Sequence, residues 1–136
     1  MNGREFLTPA EELAKGPSEA HRRASAGRSY YALFQEALAA LGRWGIAVPR
    51  RENIHAYVRL RFTYSANADA QFLGEQLDFL VKLRNEADYD LATPGRFERA
   101  DKVAKALTKS RDAIALLDAI EFDPARCAGV VASIRP

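Results

Sequence analysis

Cysteine is nearly missing from this chain: Cys127 is the only one in 136 residues. No internal disulfide can form, and a reducing, cytoplasmic setting is expected. Histidine is almost as scarce, with only His21 and His55. A zinc site built on Cys/His clusters needs more ligands than that, so no metal and no cofactor is expected. No apolar run is long enough to make a membrane-spanning helix. Residues Met1 to Lys15 include acids and no apolar core, so they do not read as a signal peptide. The chain also lacks a Gly-rich phosphate loop and any persuasive pair of catalytic carboxylates. Those absences argue against kinases, nucleophile-elbow hydrolases and zinc enzymes.

What is present is an ordinary globular balance, 48% hydrophobic and 28% charged, at a length that suits one domain with one core. The net charge is only +2, but it is unevenly spread. From Ser18 to Tyr64 stand eight arginines (Arg22, Arg23, Arg28, Arg43, Arg50, Arg51, Arg59, Arg61), no lysine, and three acids. Arginine forks match phosphate geometry, so this stretch suits an anionic partner; a solvated helical surface is the plainer reading.

Punctuation divides the chain into helices. Thr8-Pro9-Ala10-Glu11 is a capping box with proline at the first helical position, predicting a short helix to about Lys15 that Gly16-Pro17 ends. Ser18 caps a long helix to Leu41 or Gly42, with Ala24, Tyr31, Phe34, Leu38 and Leu41 on one stripe, widened by Tyr30, Leu33 and Ala37. Residues 42–49 connect to a third helix, Arg51 to Tyr64, with Ile54, Tyr57, Val58 and Phe62 inward. Asn67 or Asp69 starts a fourth, ending near Tyr89. Thr93, with Pro94 just inside, caps a fifth whose stripe is Phe97, Ala100, Ala104, Leu107, Arg111, Ile114 and Leu117. Phe122-Asp123-Pro124 stops it, and the tail beyond Cys127 is expected to be loosely held. There is no repeat and no strand pattern. The expectation is an all-α antiparallel bundle of four to five helices. Residues 1–17 form a short helix and linker, 18–122 the bundle, and 123–136 a C-terminal tail.

The most informative residue is Arg84. The apolar stripe of the fourth helix runs Leu73, Leu77, Leu80 and then Arg84, Ala87 and Leu91, so a guanidinium stands where a leucine is expected. Desolvated unpaired, it would be costly. It needs a groove, a second subunit, a distant acid, or Asp88 one turn on. Tyr30 and Tyr31 are adjacent and must diverge, one toward the core; core or interface packing suits both, and a groove where the second stacks on a base is the alternative. Trp44 reads as a packed lid at the helix end or a partner contact.

These segments resemble the HEPN family of RNA- and nucleotide-handling helical domains, in particular its small stand-alone members. Arg84-Asn85 looks like the start of the family's Arg-x4-6-His motif. Arg28-Ser29-Tyr30-Tyr31-Ala32-Leu33-Phe34 looks like the matching first long helix. Ala87-Asp88-Tyr89 is similar to a branch in which Arg-x-x-Ala-Asp-Tyr replaces the usual ending. The likeness runs from Ser18 to about Leu117 in element order. It implies a homodimer that handles RNA or a nucleotide, in a toxin–antitoxin or defence setting, with catalytic members cleaving RNA without metal.

The chain departs from the pattern where the histidine should be: Tyr89 stands five residues after Arg84, preceded by Asp88. With reference values of about 10 for tyrosine and about 4 for aspartate, both are poor bases at neutral pH. A weakened or non-catalytic ribonuclease is the expected form. Leu91 occupies the place where some members carry a modified tyrosine, so that modification is not carried over. The resemblance implies Arg84, Tyr89 and Asp88 as the catalytic set. Asn85, Arg28, Tyr31, His55, Arg51 and Arg59 are the expected RNA- or nucleotide-binding residues. His21 and His55 are the only histidines available to replace the missing base. Two other readings stand beside this one. One is a helical interaction module for an antitoxin or nucleotidyltransferase-like protein, with no nucleic-acid activity. The other is an unrelated four-helix bundle.

Overall fold

The computed structural model describes residues 1–50 and 53–134. Among them are a 3-10 turn, Gly3–Phe6, and six α-helices: α1 Leu7–Ala14, α2 Glu19–Arg43, α3 Ile54–Thr63, α4 Ala68–Tyr89, α5 Asp101–Phe122 and α6 Pro124–Ile134. No strand occurs among the described residues, so the all-helical expectation holds. The helix count is one above the expected range, because the tail folds.

The long helix α2 is the axis of the fold and packs against α1, α3, α4, α5 and the 3-10 turn. Ser18 caps it as the sequence predicts, its Oγ accepting from the His21 amide at 3.2 Å. Tyr30, Leu33, Phe34, Ala37 and Leu41 are buried, while Tyr31 and Leu38 are half-buried. Ala24 was expected on this stripe and is exposed, because the buried face turns instead through Arg23, Ser25 and Ala26. Alanine and serine let neighbours approach closely: Ser110 of α5 donates to the Ser29 carbonyl at 2.8 Å, and Ser25 donates to Ala10 of α1 at 2.6 Å. Arg4 in the 3-10 turn bridges Glu36 of α2 at 2.9 Å and Asp118 of α5 at 2.7 Å. Burial lifts the Glu36 carboxyl, but hydrogen bonds from the Arg4 side chain and backbone outweigh it and hold the group below the ordinary carboxylate range.

Helix α3 buries Val58 and Phe62, and Trp44 leans edge-on against Phe62 with centroids 6.3 Å apart. The expected start at Arg51 lies outside the described residues. Helix α4 has the predicted limits, with Asn67 Oδ1 accepting from the Asp69 and Ala70 amides. Helix α5 starts later than Thr93 predicted. Asp90 Oδ1 accepts from the Thr93 amide and hydroxyl, Gly95 takes a φ of +81°, and the chain turns inward to bury Phe97 before the helix begins at Asp101. Of the expected stripe, Phe97, Leu107, Ile114 and Leu117 are buried, and Val103, Ala106, Ser110 and Ala113 complete the buried face. Ala100, Ala104 and Arg111 are exposed. Beyond the predicted stop, α6 packs Val130 and Ile134 into the core, and Arg126 bridges Asp69 at 2.7 Å.

Helices α3 and α4 touch at Gly74, where an added Cβ would lie 2.7 Å from the Thr63 amide nitrogen and 2.8 Å from its Cα. Those atoms are backbone and cannot rotate away. Gly74→Ala is expected to destabilise the fold by about 1–3 kcal/mol through this overlap. Gly27 of α2 has nothing within 4 Å of its added Cβ. Gly27→Ala is therefore expected to stabilise by up to about 1 kcal/mol through helix propensity. Thermal or urea unfolding of both variants checks the contrast; equal effects would refute the close contact.

Candidate nucleic-acid interface

Three helices bring the candidate residues together. Helix α4 carries Arg84, whose side chain is 22% exposed and whose Nε lies 3.0 Å from Asp88 Oδ2. That is the one-turn pair the spacing predicts. Its Nη1 donates to Asn85 Oδ1 at 3.3 Å, a long bond. The guanidinium carbon lies 5.9 Å from the centroid of the Tyr31 ring on α2. Arg28, one turn earlier on α2 and exposed, lies 5.8 Å from the same ring and 5.7 Å from Phe6 of the 3-10 turn. Tyr31 thus has two cations against it, an arrangement favoured by the negative ring face.

Helix α3 supplies His55. Its ring stacks on Phe34 at 4.1 Å and 22°, and meets Tyr31 edge-on at 6.1 Å. Its Nδ1 shares a 2.6 Å hydrogen bond with the buried Tyr30 hydroxyl. Burial raises the Tyr30 phenol above its ordinary value, so the hydroxyl keeps its proton. Burial, and after it the charge of Arg84, hold the His55 imidazole below its ordinary range. It is therefore neutral near pH 7. Arg59 of the same helix bridges Asp78 at 3.5 Å, and its charge also acts on Tyr30.

The cluster therefore joins Arg84, Asp88, Arg28, Tyr31, His55 and Arg59, with Asn85 at its edge. It does not include Tyr89. Five residues on, Tyr89 lies about 140° around the helix from Arg84. It is 77% exposed and lines a hollow with Lys82, Asn85, Glu86 and Asp90. Within one chain it cannot act beside Arg84. His21 is also elsewhere: its Nδ1 and the Ser18 hydroxyl are 2.5 Å apart at the start of α2, and its ring lies against Gly16. Arg51 lies outside the described residues. Phe6, Phe34 and Tyr30 belong to the cluster and were not foreseen as its members; a lone aromatic in a 3-10 turn gives no periodic signal.

Chemically, the cluster offers guanidinium forks for phosphate, a half-buried tyrosine ring beside them, and one neutral imidazole. Among the described residues no three metal-ligating side chains gather. No helix among them is long and apolar enough to cross a membrane.

The lowered His55 value fixes a pH dependence. In the unfolded chain the imidazole protonates near its ordinary value of about 6.5, before it does so in the fold. Its contribution to stability is complete above that value and is lost as pH falls through the lower folded value. Unfolding midpoints should therefore decline between about pH 7 and 5, and decline less in His55→Gln. Glu36, Asp69 and Asp118, whose carboxyls are held low, act in a separate window below about pH 4. Parallel pH profiles for the two proteins would contradict the assignment to His55.

Compared with protein-family models, curated proteins and solved structures, the chain finds no match in any of the three.

Proposed function

We propose that this chain is an RNA-handling domain of the HEPN type, an antiparallel helical bundle acting as a homodimer, and that it contacts RNA through the cluster at the junction of α2, α3 and α4. One observation carries this reading: the Arg28 and Arg84 guanidiniums flank Tyr31 at 5.8 and 5.9 Å, beside a neutral, half-buried His55. Cations that track phosphates beside a ring that stacks on a base are the elements of single-strand recognition. The arginine-rich stretch from Ser18 to Tyr64 supplies the surrounding field.

Arg84 rests on Asp88, so taking a phosphate requires it to exchange partners. That favours binding with slow or no cleavage. Where cleavage occurs, His55 is the titratable group beside Arg84 within one chain, and Tyr89 would have to come from the second copy of the homodimer. Family analogy supplies the toxin–antitoxin or defence setting and the cytoplasmic location.

The test is binding of a short single-stranded RNA at several salt concentrations. Arg84→Gln and Arg28→Gln are each expected to weaken binding about tenfold and to reduce the salt slope by about one. A chelator should leave binding unchanged. Binding that ignores both salt and these substitutions would refute the reading.

A further inference from the structure

A second surface lies on another side of α4. A hollow of about 390 Å³ opens between α4 and α5, with Phe79 and Leu83 in its floor and Lys82, Lys102 and Lys105 on its rim. Lys102, Lys105 and Lys109 repeat at helical spacing, so they form one stripe along α5. Lys105 and Lys109 set their ammonium groups over Phe79, at 5.3 and 4.7 Å from the ring centroid.

The two acids that line this hollow, Asp78 and Glu86, are paired. Asp78 pairs with Lys82 at 2.8 Å and with Arg59 at 3.5 Å. Glu86 pairs with Arg96 at 3.2 Å and with Lys102 at 3.8 Å. Among the described residues Lys105 and Lys109 face no carboxylate; Lys109 reaches only the Gln76 amide oxygen, at 3.2 Å. The groove does not stop there. A second hollow shares Lys82 and Glu86 with the first and runs on to Tyr89. Tyr89 is 77% exposed, and Leu91 beyond it is 72% exposed. From Phe79 to Tyr89 the groove follows α4 for about 15 Å, or about three helical turns.

We propose that this groove docks an acidic amphipathic helix of a protein partner. Its apolar side chains would cover Phe79 and Tyr89, and its carboxylates would meet Lys105 and Lys109. Two ammoniums that meet no carboxylate among the described residues, above an apolar floor, are completed by a ligand that brings both anionic and apolar groups, and a helix laid along the groove brings them at matching spacing. A bare phosphate chain would leave the apolar floor and the two exposed apolar residues uncovered. The floor of this groove faces a different side of α4 from Arg84, since Phe79 and Arg84 lie about 140° apart around the helix; the two surfaces border each other at Asn85, which lines the second hollow and accepts from Arg84, and at Asp78, which bridges Arg59.

The probe is a fluorescein-labelled synthetic peptide of about twelve residues, long enough for three turns, with leucine on one face and glutamate on the other. Fluorescence anisotropy with the full chain should give saturable binding. The Lys105→Glu/Lys109→Glu double variant should weaken it at least tenfold, with its helical circular dichroism unchanged. Tyr89→Ser, at an exposed position that cannot unfold the core, should weaken it several-fold. A matched peptide with glutamine for glutamate should bind at least tenfold more weakly. No binding of the acidic peptide at millimolar protein, or equal binding to the lysine variant, would overturn the proposal. So would displacement by a short RNA whose own affinity falls in the lysine variant, which would assign the stripe to nucleic acid.

Discussion

Arg23→Met is expected to lower the unfolding free energy by about 3–5 kcal/mol, the scale for removing one partner from a buried charged network. Arg23 is 8% exposed on α2. Its Nη1 faces the carbonyls of Glu86, Ala87 and Asp90 at 3.1, 3.0 and 3.0 Å, and Nη2 bridges Glu19 at 3.0 Å. Those carbonyls close α4: the Glu86 carbonyl also accepts from the Asp90 amide at 3.0 Å, while those of Ala87 and Asp90 lie at the open end of the helix, where a cation is favoured. Methionine fills the volume but leaves the carbonyls without their donor. Lysine keeps the charge and loses the fork, so Arg23→Lys should recover only part of the loss. Denaturant unfolding measures the difference, and hydrogen exchange should locate it at residues 87–90. A loss below about 1 kcal/mol would mean that water substitutes for the guanidinium.

Phe97→Ala is expected to cost a similar amount, about 3–5 kcal/mol. Phe97 is fully buried although it lies outside any helix. Its ring lies 4.7 Å from the Arg23 guanidinium, and its carbonyl accepts from Arg22 Nε at 2.5 Å. It therefore pins the connection between α4 and α5 to α2. Because Phe97 and Arg23 touch, their effects should not add: a double-mutant cycle should show coupling of about 0.5–3 kcal/mol. Additive losses would mean that the ring and the guanidinium act independently.

These two residues mark where the sequence was hard to read. Helix ends carried by local chemistry were legible: Ser18 and Asn67 cap as their side chains predict, and Asp123-Pro124 ends α5. The start of α5 was not. Thr93-Pro94 has the composition of a helix start, yet burial of Phe97 and the Asp90 turn keep that stretch non-helical. The competing contacts come from α2, more than seventy residues away, and leave no trace in the local pattern. For a related reason the tail departs from the loosely held segment expected. Its alanines and glycine give little periodic contrast, and only docking of Val130 and Ile134 onto the core orders it.

The cluster was legible in part. A guanidinium on an apolar stripe flagged Arg84, and one-turn spacing gave its bond to Asp88. The approach of His55 depends on how α3 crosses α2 and α4, which spacing does not encode. Tyr89 shows the opposite case: five positions place it near Arg84 in sequence but on a different side of the helix. The lysine groove is not legible in the sequence: helical spacing puts Lys102, Lys105 and Lys109 on one stripe, but only the packing of α4 lays Phe79 beneath them.

The central claim is that RNA meets the junction of α2, α3 and α4. The most direct measurement is nuclear magnetic resonance mapping of the isotope-labelled protein during titration with a short single-stranded RNA at low salt. The expected result is saturable shifts concentrated at Arg28, Tyr31, His55 and Arg84, including the His55 ring protons, reversed by added salt. Shifts confined to the α4–α5 groove, or no shift anywhere at millimolar RNA, would contradict it.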